Sequence, residues 1–586
     1  MSYRAPVSDI VFTLKTVAGL DDGVANGLYA DLADGMAEAT LEEAAKVAEN
    51  VLAPLNWTGD RAGVKLANKE VTTAPGWTAA YTQWREAGWN TVTAPEDFGG
   101  MGMPQIMGVA CNELWNSANM AFSLCPLLTV GAIEALHSHA TEELQNTYLE
   151  KLVSGEWTGT MNLTEPQGDG TYKIFGQKIF ITYGDHDMVE NIIHLVLARL
   201  PDAPAGTRGI SLFLVPKFMV NADGSLGKRN DVHCAGIEHK LGIHASPTCT
   251  MVFGDEGGAI GYLIGQENKG LACMFTMMNS ARLNVGIQGV AIAERAYQHA
   301  LAYATDRKQG LAAGDTPKGE GYQMSAIAQH PDVRRNLMTM KSMTQAARAI
   351  CYMTAAALDV SHRSEDAQQA KRGAERAGLL TPIAKAFSTD IGNEVASIGV
   401  QIHGGMGFVE ETGAAQFMRD ARIAGIYEGT NGIQAIDLVQ RKLPLSGGEA
   451  VALEMADMRA ILADLRATNA PVFGATAQRL TDAVDSLERT TAYMFAALKN
   501  APQDALAGAT PYLRLWGYAR GGTALAASAL AAHRALQSGE TDPALSGRIS
   551  IARFFAENIA NGSGGLELTV TEGAHSVHDS ALALTA

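Results

Sequence analysis

The chain has 586 residues, 47% of them hydrophobic and 18% charged, which is ample material for a large core and too much length for one ordinary domain. Its 45 Lys and Arg oppose 62 Asp and Glu, a formal charge of −17, the wrong sign for a protein that binds nucleic acid by neutralising phosphates. Six scattered cysteines without a C-x-x-C pair point to free thiols in a reducing cytoplasm, and neither an export signal nor an uncharged stretch near the ~20 residues of a membrane span is expected.

From the N-terminus to about residue 157 the spacing predicts helices. The clearest is set by Thr40 and Glu43, read as a capping box ahead of Leu41, Ala44, Ala45, Ala48, Val51 and Leu52 on one face. GWNTVTAPEDFGGMGMP, residues 88–104, breaks this pattern with glycine and proline and marks a boundary or the wall of a site. From Trp157 the texture changes to short β-branched and aromatic runs, KIFGQKIFIT, NIIHLVLARL, GISLFLVPKF and TCTMVF, so a β domain is expected over 158–266. Helical spacing returns from Leu271 to Arg307 and again near 333–361 and 382–402, within a helical segment over 267–445. After the break Leu443-Pro444-Leu445-Ser446-Gly447-Gly448, an Ala-rich tail over 446–586 predicts an additional helical domain. The expected class is α+β, mainly helical, with a sheet domain between helical ones, an order that argues against the alternating βαβ units of a doubly wound fold.

Dinucleotide, P-loop and zinc-protease motifs are absent. His137 and His139 lie two apart on different faces of a helical pattern and read as surface residues, so no metal site is expected. Met274, Met277 and Met278 read as core filling. One constellation does suggest chemistry: QIHGGMG at 401–407, followed by IYEGTNG at 426–432. Gly404, Gly405 and Gly407 let a backbone approach a ligand closely, because glycine has no Cβ in the way. Glu428 sits in a glycine-flanked turn ahead of a helix carrying Ile433, Ile436, Val439 and Leu443, with Thr430 or Asn431 as its cap. Such a carboxylate can project into a cleft; taken alone, a glutamate before a helix is more often a surface charge complementing the helix dipole.

Together with APEDFGGMGMP (94–104), MNLTEP (161–166), KIFIT (178–182), KLGIHASPT (240–248), GQENKGL (265–271), ARL (281–283) and YATDR (303–307), these segments resemble, in order, the flavin-dependent acyl-CoA dehydrogenases over residues 1–445. The resemblance implies an N-terminal helical domain (1–157), a middle β-domain (158–266) and a C-terminal four-helix bundle (267–445), with FAD as cofactor and an acyl-CoA as substrate. It implies that Glu428 removes the α-proton of the thioester while the β-hydrogen leaves as hydride to flavin N5, and that the Glu428 N–H helps to hold the thioester oxygen. Leu163, Thr164, Phe180, Ile181 and Thr182 match segments that the family lays against the flavin ring. Arg307 matches a residue that meets the FAD pyrophosphate of a neighbouring subunit; Gln401, Gly404 and Gly405 match residues receiving its adenosine diphosphate, and Thr430 a further FAD contact. Tyr427 is set beside the substrate, and Arg282 is either a substrate-side residue or a structural ion-pair partner.

A site completed by a second chain implies an obligate homo-oligomer, expected as a homodimer, with an electron-transfer flavoprotein as electron acceptor. Some relatives carry the base just before the Arg-Leu of the long helix; here that position is Ala281, which leaves Glu428 as the base. The tail and the length resemble a larger subgroup that includes dehydrogenases of 3-(methylthio)propanoyl-CoA in dimethylsulfoniopropionate breakdown, and that thioester is the expected substrate. A short straight-chain dehydrogenase, an acyl-CoA oxidase and a non-catalytic homologue are the alternatives. The pattern departs from the family in one place: after Thr164-Glu165-Pro166, where the family continues with Ala-Gly-Ser-Asp and a further strand, TEPQGDGTYKIFGQKIFIT is shorter by on the order of 10 to 15 residues. A sheet rarely gives up a whole strand, which favours residues missing from this stretch over a true deletion.

Overall fold

A computed structural model describes residues 3–163, 166–169, 171–314 and 324–585. The chain divides into two compact units, one built of Thr40–Asn284 and the other of Pro6–Ala39 with Val285–Ala586. The sequence division at residue 157 put the first helices with the N-terminal domain, whereas Pro6–Ala39 cluster with the second unit.

In the first unit, the expected helix starts earlier than its capping signal. It runs Met36–Val47, so Thr40 lies inside it, and Glu43 instead pairs with Lys46 at 2.5 Å. The apolar face is as read, with Leu41, Ala44, Ala48 and Leu52 fully buried. The Gln105–His139 helix corrects a second expectation: it is long and apolar enough to cross a membrane, but 83% of its most apolar window is buried inside the protein. It is apolar on all sides because it is packed on all sides, and it is broken at Asn119 (φ −159°, ψ 91°) with Pro126 beyond.

The strands of this unit are β1 (Lys65–Ala67), β2 (Glu70–Thr72), β3 (Trp157–Leu163), β4 (Pro166–Asp169), β5 (Thr171–Ile174), β6 (Gly176–Thr182), β7 (Asn191–Arg199), β8 (Ile210–Pro216), β9 (Phe218–Val220), β10 (Leu226–Arg229), β11 (Val232–Ile237), β12 (Thr248–Phe253) and β13 (Ala259–Ile264). Six form a sheet in the order β3-β7-β8-β13-β5-β4 and three a second sheet, β11-β12-β6; β1–β2 and β9–β10 are separate hairpins. Only β3–β7 is parallel among the described pairs. In the shortened segment, β4 pairs with β5 from Pro166↔Ile174 to Asp169↔Thr171. Among the described residues, β4 thus forms the edge of the six-stranded sheet.

The second unit is helical. Its long members are the latter part of Gly270–Asp306, then Pro331–Arg363, Ala367–His403, Glu449–Thr468, Thr476–Asn500, Ala509–Gln537 and Pro543–Asn558. Glycines bring two of them close: a Cβ on Gly286 would lie 2.7 Å from Ala384 O, and one on Gly289 2.3 Å from Ser388 O. Two buried ionic groups tie its parts together. Asp9, near the N-terminus, meets Lys341 at 2.8 Å and Arg548 at 2.9 Å, which is why the first helix packs here. Glu454, on Glu449–Thr468, meets Arg376 at 2.8 Å and Arg520 at 2.5 Å, joining the bundle to the C-terminal helices.

Candidate active site

Glu428 lies in the second unit, in a turn with φ +54° at Glu428 and +85° at Gly429. A side chain in this left-handed region carries a cost of about 1–2 kcal/mol, so the surroundings must impose it. They do so through buried groups. Lys385, fully buried on Ala367–His403, donates from Nζ to Gly429 O and to Asn431 Oδ1, each at 2.9 Å. Asn431 Nδ2 donates to Asp390 Oδ1 at 2.6 Å and to Thr389 Oγ1 at 2.9 Å. Gln434, also fully buried, donates from Nε2 to Glu428 O at 3.1 Å. Thr430 caps the Asn431–Asp437 helix through Oγ1, accepting from Ile433 N at 3.4 Å, as its position in the sequence suggests.

Tyr427 is tied down rather than open: its hydroxyl donates to Gln288 Oε1, and burial, followed by the Glu428 charge, pushes its pKa up. Glu428 itself is half-buried. Within the same unit Gly404, at φ +58°, ends the Ala367–His403 helix, and a Cβ on Gly404 or Gly405 would meet nothing within 4 Å. Gln401, Gly404, Gly405 and Arg307 are all exposed, and the Arg307 guanidinium donates to Gln309 Oε1 at 3.2 Å. An open glycine backbone and exposed cationic and amide side chains fit a diphosphate. Beside them His403 stacks on His299 with ring centres 4.7 Å apart.

The first unit carries the other predicted residues. At the end of β6 the register slips between Lys178↔Met251 and Ile181↔Cys249, so Ile179 and Phe180 together oppose Thr250. This β-bulge, with φ +62° at Phe180, turns the ring outward, where it is 66% exposed. Tyr183 pins the strand end, its hydroxyl donating to Ala121 O at 2.7 Å and accepting from Trp77 Nε1 at 3.2 Å. An exposed aromatic face on a braced strand fits a flat heteroaromatic ring. Ile181 points the other way and is buried, while Thr182 is half-buried. Leu163 ends β3, and Thr164 lies outside the described residues.

Arg282 is buried at 8% exposure on the long helix. Nearby in sequence, Ser280 Oγ donates to Glu134 at 3.0 Å, and burial pushes the Glu134 carboxyl up to about 7. The sequence reading passed over Glu134, Lys385, Asn431 as a clamp, and Gln434. The available signal was Lys385, a lone charge within LLTPIAKAF, an otherwise apolar helical run. Among the described residues no group of His, Cys, Asp and Glu is arranged to hold a metal ion.

Comparison with known proteins bears on both units. Residues 36–156 match the family described as acyl-CoA dehydrogenase, N-terminal domain; residues 268–443 match acyl-CoA dehydrogenase, C-terminal domain; and residues 455–580 match acetyl-CoA dehydrogenase C-terminal like. The chain is 44% identical over 574 residues to a 3-methylmercaptopropionyl-CoA dehydrogenase of Ruegeria pomeroyi, covering 95% of this chain and 96% of that one. It is 35% identical over 592 residues to a butyryl-CoA dehydrogenase of Syntrophomonas wolfei, covering 96% and 95%. Among solved structures, Caenorhabditis elegans ACDH-11 in complex with C11-CoA superposes with a TM-score of 0.72 at 19% identity, over 97% of this chain and 95% of that one, a likeness of fold.

Proposed function

This chain belongs to the acyl-CoA dehydrogenase family, and from that premise we propose that it carries out FAD-dependent α,β-dehydrogenation of a short acyl-CoA, with 3-(methylthio)propanoyl-CoA as substrate and 3-(methylthio)acryloyl-CoA as product. The observation that carries the chemistry is Glu428, a half-buried carboxylate held at φ +54° by a built hydrogen-bonded turn. Strain of this kind persists only where the surrounding groups impose it, and at functional sites it can be part of the mechanism. The identity with the Ruegeria pomeroyi enzyme carries the choice of acyl group.

FAD, when bound, supplies the hydride acceptor. In this reading Phe180 offers its exposed face to the ring, Thr430 makes a further FAD contact, and Gln401, Gly404, Gly405 and Arg307 receive the diphosphate and adenosine end of the FAD of a neighbouring subunit. Glu428 takes the α-proton from the thioester. An α-proton beside a thioester is a very weak acid, so the same turn must also offer a hydrogen-bond donor to the thioester oxygen, and the Glu428 N–H is the group assigned to it. Tyr427, fixed by Gln288, anchors the chain immediately before the base. Arg282 belongs to the substrate side.

Assembly as a homo-oligomer, a homodimer in the simplest form, is supported by apolar side chains left in the open around the glycine turn: Phe408 is 89% exposed and Met406 49%. An electron-transfer flavoprotein is the proposed acceptor and the cytoplasm the proposed location. The direct test is anaerobic bleaching of the bound flavin by candidate thioesters. Wild-type protein should bleach fastest with 3-(methylthio)propanoyl-CoA, and Glu428→Gln should not bleach; a Gln variant that bleaches at the wild-type rate refutes the mechanism. The similarity to a butyryl-CoA dehydrogenase favours a straight-chain substrate as the second reading, separated from the first by kcat/KM over a panel of short acyl-CoAs. Peroxide release in air would mark an oxidase instead.

A further inference from the structure

We infer that Lys385 and Asn431 are positioning residues for Glu428: together they hold the Glu428–Gly429 peptide in its left-handed conformation, so they govern the rate of proton abstraction and its pH dependence while leaving thioester binding nearly untouched. This rests on the reading of Glu428 as the base.

Of the two consecutive residues at positive φ, Glu428 at +54° would relax if it were free, whereas Gly429 sits at +85° without cost. Gln434 holds the Glu428 carbonyl at 3.1 Å, and the peptide beyond it is held by one ammonium group. Lys385 Nζ reaches the Gly429 carbonyl at 2.9 Å, one peptide beyond the base, and the Asn431 side-chain oxygen at 2.9 Å. Asn431 is in turn locked to Ala386 O at 3.2 Å, Thr389 Oγ1 at 2.9 Å and Asp390 Oδ1 at 2.6 Å, all on the helix that carries Lys385. That helix is itself seated through glycine contacts: Gly289 allows Ser388 to approach, and a Cβ on Gly392 would lie 2.8 Å from Gly289 O. The turn is therefore referenced to two packed helices rather than to its own loop.

Stability gives little reason for such a lysine. Burying an ammonium costs several kcal/mol, and an apolar side chain of similar length in the same place is commonly neutral or stabilising. A buried cation kept at this point, donating to the peptide beside a catalytic carboxylate, is explained by what it does to that carboxylate. It fixes the direction in which the side chain leaves the backbone, and a misplacement of about 1 Å is worth about 10²-fold in rate. As a nearby cation it also favours the ionised, proton-accepting form. Among the described residues, the other charged and titratable groups around the turn include Asp390, the Arg514–Glu394 pair beyond it, Tyr427, and Arg422, whose guanidinium lies beside Gly425 together with the Asn431 side chain; Asp390 is held by Asn431 and raised by burial.

The test is made on the FAD-loaded full-length protein with Lys385→Met, Asn431→Ala and the double variant. Lys385→Met should lower kcat by about 10²-fold with KM changed less than about 3-fold, an unchanged flavin absorbance ratio and a thermal midpoint equal to or above wild type. The acid limb of its kcat/KM–pH profile should move to higher pH, because the base has lost a cation. Asn431→Ala should lower kcat in the same direction, and the double variant should fall little further, since both act through one clamp. The inference is overturned if both single variants keep kcat within about 3-fold of wild type. It is overturned equally if kcat falls only together with the thermal midpoint and the pH profile stays put, which is what a packing role predicts. Should Lys385→Met fail to fold, Asn431→Ala carries the same readouts. Glu428→Gln in parallel separates the two readings: if it is dead while Lys385→Met is normal, only the clamp fails, and if it is active the base assignment fails whatever Lys385 does.

Discussion

Glu454→Gln offers the sharpest test of how the C-terminal helices are joined to the bundle. Glu454 is 2% exposed and lies between Arg376 and Arg520, and the two guanidiniums hold its carboxyl down to about 2 despite burial. Against an ordinary value of 4.5, that difference stabilises the folded state by about 3 kcal/mol at neutral pH. The folded pKa is depressed, so this contribution is complete above pH 4.5 and is lost as pH falls toward 2. Glutamine keeps the shape but removes the charge, leaving Arg520, itself 2% exposed, with Asp457 at 2.5 Å as its remaining acid. Breaking a buried pair from one side costs about 3–5 kcal/mol. For a unit of roughly 340 residues the entropy of unfolding is near 0.7 kcal/mol/K, so the thermal midpoint should drop by about 5 °C at pH 7. Differential scanning calorimetry of wild type and Glu454→Gln at pH 7 and at pH 3 is the assay. The gap should narrow at pH 3, and a variant within about 1 °C of wild type at pH 7 refutes the view that this cluster fastens the tail.

Glu428→Gly should abolish turnover yet raise the thermal midpoint, because glycine occupies φ +54° without the cost of about 1–2 kcal/mol that glutamate carries there; calorimetry against activity checks both signs. Phe180→Ala should weaken FAD binding about 5-fold, the worth of one aromatic contact, measured by flavin fluorescence on titrating apoprotein, with little effect on stability since the ring is 66% exposed. Glu134 has its folded pKa raised to about 7, so the folded state loses stability as pH rises from 4.5 through 7; Glu134→Gln should remove that loss, gaining at most about 3 kcal/mol at pH 8 and nothing at pH 4, read from thermal midpoints across pH.

Much of the molecule was legible without coordinates. Period-2 and period-3.6 patterning reports burial on one face, which is a local property, so Trp157 as the start of the β domain and the helices read at 271–307 and 333–361 emerged close to their observed limits, whereas the helix read at 382–402 begins at Ala367. Strands with mixed faces, β11 and β13, and the short hairpins did not, because their burial alternates against neighbours that periodicity cannot name. The helix with a false start at Thr40 shows the same limit: a capping pattern is permissive, and the helix begins a turn earlier, at Met36, with Ala37 buried.

The linear order of residues determined the composition class, the helical and sheet segments, the glycine-bordered Glu428 and the ordered motifs that mark the family, since all of these are written in near neighbours. Only the tertiary structure decided that the first helices join the second unit, that the long apolar helix is a core element, and that Lys385 and Asn431 grip the turn of Glu428. Those outcomes depend on polar groups 332 and 44 residues apart meeting in space, Asp9 with Lys341 and the Gly429 carbonyl with Lys385, and on the burial that makes each meeting matter. Burial and long-range pairing are properties of the packed chain, with no counterpart in local spacing.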